Sequence, residues 1–374
     1  MPHPLEKPRP LEKLTIRGFK SIEKLEDFKL GSLNVLIGAN GAGKSNFVEF
    51  FRLLRAMVEE RLQAYVNEHG PADGYFYNGV KSTQAIEADM YFGENRYGFT
   101  LAPRAEGGIL VAKEEAQYLR SKNSNLLAWG TLESGLRKNK DQPGLMAPQG
   151  PNWYVWSAVS NWHVYHFHDT TMTAGMRREC GIEQTDQLHP SGENLAAFLL
   201  GLRDRNSDVY GMIRKTIQRI APYFDDFVLS VRHGKAEDQV RLTWKQKGKS
   251  YIFSPGHLSD GTIRFLCLTT ALLQPSPPST IVVDEPELGL HPEALSILAG
   301  LLRSASARTQ IIAATQSPLL LSEFEPEQVV TVDQVNGATQ FSRLDRQALQ
   351  SWLEDFSLGE LWLKGNVRGG VNDA

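Results

Sequence analysis

The stretch Leu33-Asn34-Val35-Leu36-Ile37-Gly38-Ala39-Asn40-Gly41-Ala42-Gly43-Lys44-Ser45, LNVLIGANGAGKS, decides how the rest of the chain is read. Its first five residues carry the pattern of a buried strand, and an octapeptide of the form GxxxxGK[ST] follows without a spacer. Beyond it Phe47, Val48, Phe50, Phe51, Leu53, Leu54, Met57 and Val58 recur at helical spacing. The glycine-rich loop therefore lies between a strand and a helix, the context that a phosphate-binding loop requires. Glycines at 38, 41 and 43 let the backbone curl until successive N–H groups point at one anion, and the helix starting near Lys44 aims its positive end at the same place. Residues Gly38, Ala39, Asn40, Gly41, Ala42, Gly43, Lys44, Ser45 and Asn46 are thus the expected nucleotide site. Lys44 would reach the β and γ phosphates, and Ser45 would offer its hydroxyl to Mg2+.

Composition bounds what the loop can serve. The chain has 374 residues, 41% of them hydrophobic, enough for a substantial core. No apolar run approaches the length of a membrane span, and the opening MPHPLEKPRPLEK is charged and proline-rich, so a cytoplasmic protein with no membrane partner is expected. Cys180 and Cys267 stand far apart without a CxxC pattern, which suggests neither a disulfide framework nor a zinc site. The net charge of −3 gives no global attraction to polyanions, so nucleic-acid binding would need local basic patches.

A second element supplies acid. Thr280-Ile281-Val282-Val283 reads as a β-branched strand that ends in Asp284 and Glu285. Beside a phosphate loop, the first carboxylate is placed to hold Mg2+ and the second to orient or deprotonate an attacking water. The bland alternative is a solvated acidic turn.

A third element lies just upstream, where Leu258-Ser259-Asp260-Gly261-Thr262 precedes an apolar helical run that ends at Gln274-Pro275. Alone it is an ordinary helix cap. In this order, phosphate loop, then LSDGT, then acidic strand, the chain resembles the ABC-type ATPases. That resemblance implies that Ser259 and Gly261 contact the γ phosphate held by a second copy, so that two chains clamp two ATP molecules head to tail. Ile16-Arg17-Gly18-Phe19-Lys20-Ser21 looks like the opening strand of the SMC and RecF branch, and DEPELGLHP resembles the RecF-like and OLD-like predicted ATPases. The resemblance extends to Ala314-Thr315-Gln316-Ser317, where Gln316 takes the place of the branch's switch histidine. Glutamine can donate a hydrogen bond to a phosphate but cannot take up a proton near neutral pH.

The interval between Ser45 and Leu258 exceeds that of compact transporter ATPases, yet it shows no sustained heptads and no CxxC hook, which argues against an SMC-type arm. Residues 85–101 and 108–116 alternate like antiparallel strands. Residues 137–152 read as a breaker-rich mobile loop, and 192–221 as one or two helices bearing Arg203, Arg205, Arg214 and Arg219. Lys245, Lys247 and Lys249 crown an expected hairpin. A solvated turn is its plain reading; with the arginine face it is the best candidate for a nucleic-acid backbone. His163, His166 and His168 do not make a convincing metal set, because alternate strand residues face opposite ways.

The reading is an α/β fold: an ABC-type (P-loop) ATPase head with a parallel core sheet, an antiparallel β lobe and a helical insertion. Its expected divisions are an N-terminal lobe over 1–170, the insertion over 171–225 and a C-terminal lobe over 226–374. The resemblance implies an AAA-family ATPase without a nuclease domain, an ATP-dependent homodimeric switch that acts on DNA or on a separate nuclease or effector, in genome maintenance or phage defence. A regulatory sensor that binds a protein effector without touching DNA is the alternative.

Overall fold

The structure is a computed structural model, and it describes residues 9–121, 124–141, 150–234 and 237–367. The chain divides into two compact units, neither of them continuous in sequence. The first is built from Met1–Val164, Pro278–Val282 and Thr309–Ala374, the second from Tyr165–Pro277 and Val283–Arg308.

In the first unit Leu33–Ile37 is buried at every position, as a strand covered on both faces must be. It pairs in parallel with Gln310–Thr315 on one side and Val329–Val335 on the other. Val329–Val335 returns as the antiparallel Ala338–Arg343 through Asn336 and Gly337, both at positive φ, the backbone a tight hairpin demands. The six-stranded core sheet runs Ala338–Arg343, Val329–Val335, Leu33–Ile37, Gln310–Thr315, Thr280–Asp284, Trp162–Tyr165.

A second six-stranded sheet in this unit runs Ile22–Lys29, Lys13–Phe19, Ile86–Phe92, Asn95–Pro103, Ile109–Tyr118, Ser124–Thr131, antiparallel throughout. The first alternating segment, over 85–101, forms two antiparallel strands that turn at Gly93, whose φ is 59°. Helix Lys44–Val58 supplies the core that both sheets share. Phe50 meets Phe19 and Phe99 of the antiparallel sheet at centroid distances of 5.7 and 6.3 Å, while Phe51 meets Trp162 of the core sheet at 5.2 Å. The periodic apolar residues read from sequence are therefore distributed to two faces.

The expected loop over 137–152 is corrected at both ends. Leu136–Asn139 forms a helical turn, and Pro151–Val159 is a helix with Asn152 fully buried; residues 142–149 lie outside the described residues. Pro151 reads as a breaker but stands at the first helical position, where a missing N–H costs nothing.

Among the described residues, the second unit holds four principal helices, Leu195–Arg205, Ser207–Ile220, Asp260–Leu273 and Pro292–Ser306, and two three-stranded sheets. Asp260–Leu273 is buried from Thr262 to Leu272, Arg264 included. The expected basic hairpin forms, with a first arm shorter than its sequence flank from Val240 suggested. Thr243–Gln246 pairs with Ile252–Phe253 and Phe224–Val228, while Gln239–Arg241 leaves for the other sheet, with Glu179–Gly181 and Val231–Arg232. No helix among the described residues is long and apolar enough to cross a membrane.

Phe51 is fully buried and Trp129, on the outermost strand of the antiparallel sheet, is 69% exposed. Phe51→Ala is expected to cost about 3–5 kcal/mol in chemical denaturation and Trp129→Ala less than about 0.5 kcal/mol. Similar losses for the two would refute this account of the core.

Candidate functional site

The phosphate loop is shaped by three glycines for three reasons. Gly41, at φ 80°, has no neighbour near its missing side chain and is needed for its left-handed backbone alone. Gly38 has an ordinary φ, but a Cβ there would collide with the carbonyl oxygen of Val332. Gly43, at φ 110°, faces both constraints, because a Cβ would strike the hydroxyl of Thr339. Gly43 then caps helix Lys44–Val58, so the first free N–H groups of that helix open beside the loop.

Lys44 is buried to 4% exposure, with Nζ donating to the carbonyls of Gly38 at 2.7 Å and Ala39 at 3.0 Å. The ammonium is thus held across the mouth of the loop. Ala39, Asn40, Gly41 and Ser45 are exposed, and Ala42 is buried. Asn46 turns to the N-terminal turn instead, donating from Nδ2 to Ser21 Oγ at 2.7 Å. Gln316 follows Thr315, which is level with Ile37 in the parallel pair, so Gln316 stands beside the start of the loop at Gly38. Ser317 next to it caps the short helix Pro318–Leu321 by accepting from Leu320 N.

The second unit carries the acidic turn and the LSDGT segment. Asp284 ends its strand at 9% exposure, and its carbonyl meets His168 Nε2 at 3.1 Å. Glu285 has a φ of 45°, left-handed backbone that costs a residue with a side chain about 1–2 kcal/mol. The turn closes through Leu288 N to Glu285 O and Leu290 N to Glu287 O. His291 then caps helix Pro292–Ser306, with Pro292 at its first position. The His-Pro pair of the sequence motif is a helix start.

Ser259 caps helix Asp260–Leu273 by accepting from Thr262 N at 3.1 Å, the plain reading of this serine. Gly261 has a further role, since a Cβ there would collide with the carbonyl of Gly289 in the acidic turn. Two buried arginines, absent from the sequence reading, fix this neighbourhood. Arg264 donates to the carbonyls of Phe167 at 2.9 Å, His168 at 3.2 Å and Leu288. Burial pulls its pKa down, yet a guanidinium stays cationic in proteins. Arg177, 3% exposed, donates to Thr170 O at 2.9 Å, to Leu258 O at 3.2 Å, to Pro255 O and to Asp260 at 2.9 Å, which pins the segment entering the helix. Nothing local marks either arginine, because most of their partners are backbone carbonyls distant in sequence.

The basic residues are less concentrated than the sequence suggested. Lys245 pairs with Asp225 at 3.5 Å, Arg214 with Asp226 at 3.0 Å and Arg203 with Asp204 at 3.2 Å. Arg205 bonds the carbonyl of Thr185 at 3.4 Å. Lys247, Lys249 and Arg219 are exposed. Among the described residues no group of three or more His, Cys, Asp or Glu is arranged to hold a metal.

The backbone of Glu285 sets a test separable from catalysis. Glu285→Gly and Glu285→Ala both remove the carboxylate, but only glycine relieves the left-handed strain, so the glycine variant is expected to be more stable by about 1 kcal/mol in urea melts. Equal stability would show that position 285 carries no strain.

With this geometry in hand, comparison with solved structures gives the fold a relative. The chain is similar to the Smc head bound to the C-terminal winged-helix domain of ScpA, with 14% identity and a TM-score of 0.55 over 91% of this chain and 99% of that one. It is also similar to the Smc head with an extended coiled coil bound to the C-terminal domain of ScpA from Pyrococcus furiosus, with 15% identity and a TM-score of 0.52 over 92% and 99%. These likenesses bear out an ABC-type head. No curated protein matches the chain in sequence. A family model described as "AAA domain, putative AbiEii toxin, Type IV TA system" matches residues 33–141 and 154–322, spanning the phosphate loop, the LSDGT helix, the acidic turn and Gln316. The chain belongs to that AAA domain family of ATPases, and its fold is that of an Smc head.

Proposed function

We propose that this ATPase is a nucleotide-driven switch, two copies of which close head to tail around ATP and open on hydrolysis. Residues 38–46 hold the phosphates, with Lys44 on the β and γ groups. Ser45 and Asp284 hold Mg2+, Glu285 activates the water and Gln316 donates to the γ phosphate. Ser259 and Gly261 face the nucleotide of the second copy. The observation that carries the reading is the loop itself: two of its three glycines stand where any side chain would collide, Gly43 caps the helix that follows, and loop carbonyls hold the Lys44 ammonium. The exposed Ser45 hydroxyl and the Asp284 carboxylate are oxygen donors that suit Mg2+, which when bound neutralises phosphate charge. Residues 171–225 are, on this reading, a short insertion where arm-bearing relatives extend.

The switch is read by a protein effector, and a separate nuclease or toxin partner is the kind that fits. Three of the seven basic residues expected to meet DNA, Lys245, Arg203 and Arg214, already have carboxylate partners. The two Smc heads are named in complex with ScpA domains, and the family description names a toxin of a type IV system. Both agree with a protein partner. Direct DNA contact through Lys247, Lys249 and Arg219 is the second reading.

Lys44→Ala is expected to abolish ATP binding in calorimetry, and full affinity in that variant would remove the loop assignment. Glu285→Gln should bind ATP, lose turnover at least a hundredfold and accumulate a dimer in light scattering. Glutamate at Lys245, Lys247 and Lys249 together should leave ATP turnover unchanged with or without duplex DNA. A DNA-stimulated rate that the triple variant loses would overturn the effector reading in favour of DNA.

A further inference from the structure

The hairpin Val329–Val335 and Ala338–Arg343 touches the phosphate loop at both ends. Its first strand presents the Val332 carbonyl to Gly38, and its second presents Thr339 to Ala42 and Gly43. Thr339 is 2% exposed and its Oγ1 donates to the Ala42 carbonyl at 2.9 Å. The same oxygen lies 2.7 Å from Ser21 Oγ, which in turn receives Asn46 Nδ2 at 2.7 Å. A hydroxyl has one proton, and that of Thr339 is spent on Ala42. Ser21 must therefore donate to Thr339, and the bonds run in one direction, from Asn46 through Ser21 and Thr339 to the loop carbonyl. Thr339 N also donates to Ser21 O at 2.7 Å, which fixes the two residues to each other by backbone as well.

We infer that Thr339, supported by Ser21 and Asn46, is a positioning residue for nucleotide binding. It orients the Ala42–Gly43 peptide so that the loop N–H groups converge before nucleotide arrives. The loop carbonyl cannot rotate toward solvent while Thr339 holds it, so the ordering cost is met in folding and not at binding. Asn46 thus serves the nucleotide through this chain of bonds. The inference rests on the assignment of residues 38–46 as the nucleotide site.

The test is Thr339→Val, which keeps the side-chain shape and removes the hydroxyl, with Thr339→Ser as the conservative rescue. The Kd for ADP, KM and kcat for ATP, and the nucleotide-free thermal midpoint are measured for each. Loss of one buried hydrogen bond predicts a Kd and KM about five- to tenfold higher in the valine variant, with kcat changed less, and serine within about twofold of the parent. A lowered midpoint with an unchanged Kd would mean that Thr339 serves stability alone, and would overturn the inference. Lys44→Ala run in parallel separates the two claims. If it abolishes binding while Thr339→Val does not weaken it, the brace is wrong and the site stands; if Lys44→Ala binds normally, both fall. Should the valine variant fail to fold, Ser21→Ala breaks the same chain one bond earlier and is judged by the same Kd, where an unchanged value overturns the inference.

Discussion

Backbone packed directly on backbone is the constraint from which the rest of this molecule follows. At Gly38 the carbonyl of Val332 occupies the space a side chain would need, and at Gly261 the carbonyl of Gly289 does the same. Glycine is flexible when unfolded, so fixing it costs more entropy than any other residue. The return is closeness. In the first unit a central parallel strand can pass into a loop without side chains intervening, and in the second a helix N-terminus can lie against the turn that carries Glu285.

Close packing of this kind leaves carbonyls that need donors, and the protein meets the need with charge. Arg264 and Arg177 spend their fan of N–H groups on Phe167, His168, Leu288, Thr170, Pro255 and Leu258, all by backbone oxygen. Five donors in a rigid plane make arginine suited to the task. The strain stored at Glu285 is sustained in this setting, beside a turn anchored through Leu288.

What was legible in the sequence is what is local. Leu33–Ile37, the loop and Lys44–Val58 could be read because strand, glycines and periodic apolar residues are consecutive. Local rules failed where one residue has two uses. Pro151 reads as a breaker and is a helix start, and nothing in the local pattern marks Leu242, where the chain leaves one sheet for another. Thr339, Arg177 and Arg264 were invisible because their partners are separated from them by up to about three hundred positions, and no spacing rule covers a bond to a distant carbonyl. The charge on the insertion helices misled for a related reason: the sequence displays arginines and lysines, and only the fold discloses that Asp225 and Asp226 are waiting for two of them.

The pairing of Leu33–Ile37 has a consequence for how the chain is made. Both its neighbours, Gln310–Thr315 and Val329–Val335, come from the far end of the sequence. A nascent chain translated at ordinary speed carries the completed glycine-rich segment for roughly half a minute before either neighbour emerges from the ribosome. Through that interval the apolar strand has no sheet to join, and the loop after it has neither the Val332 nor the Thr339 contact that shapes it. Competence for nucleotide therefore comes late, as a property of the nearly finished polypeptide, and a chain broken off early in synthesis would carry the motif without the site.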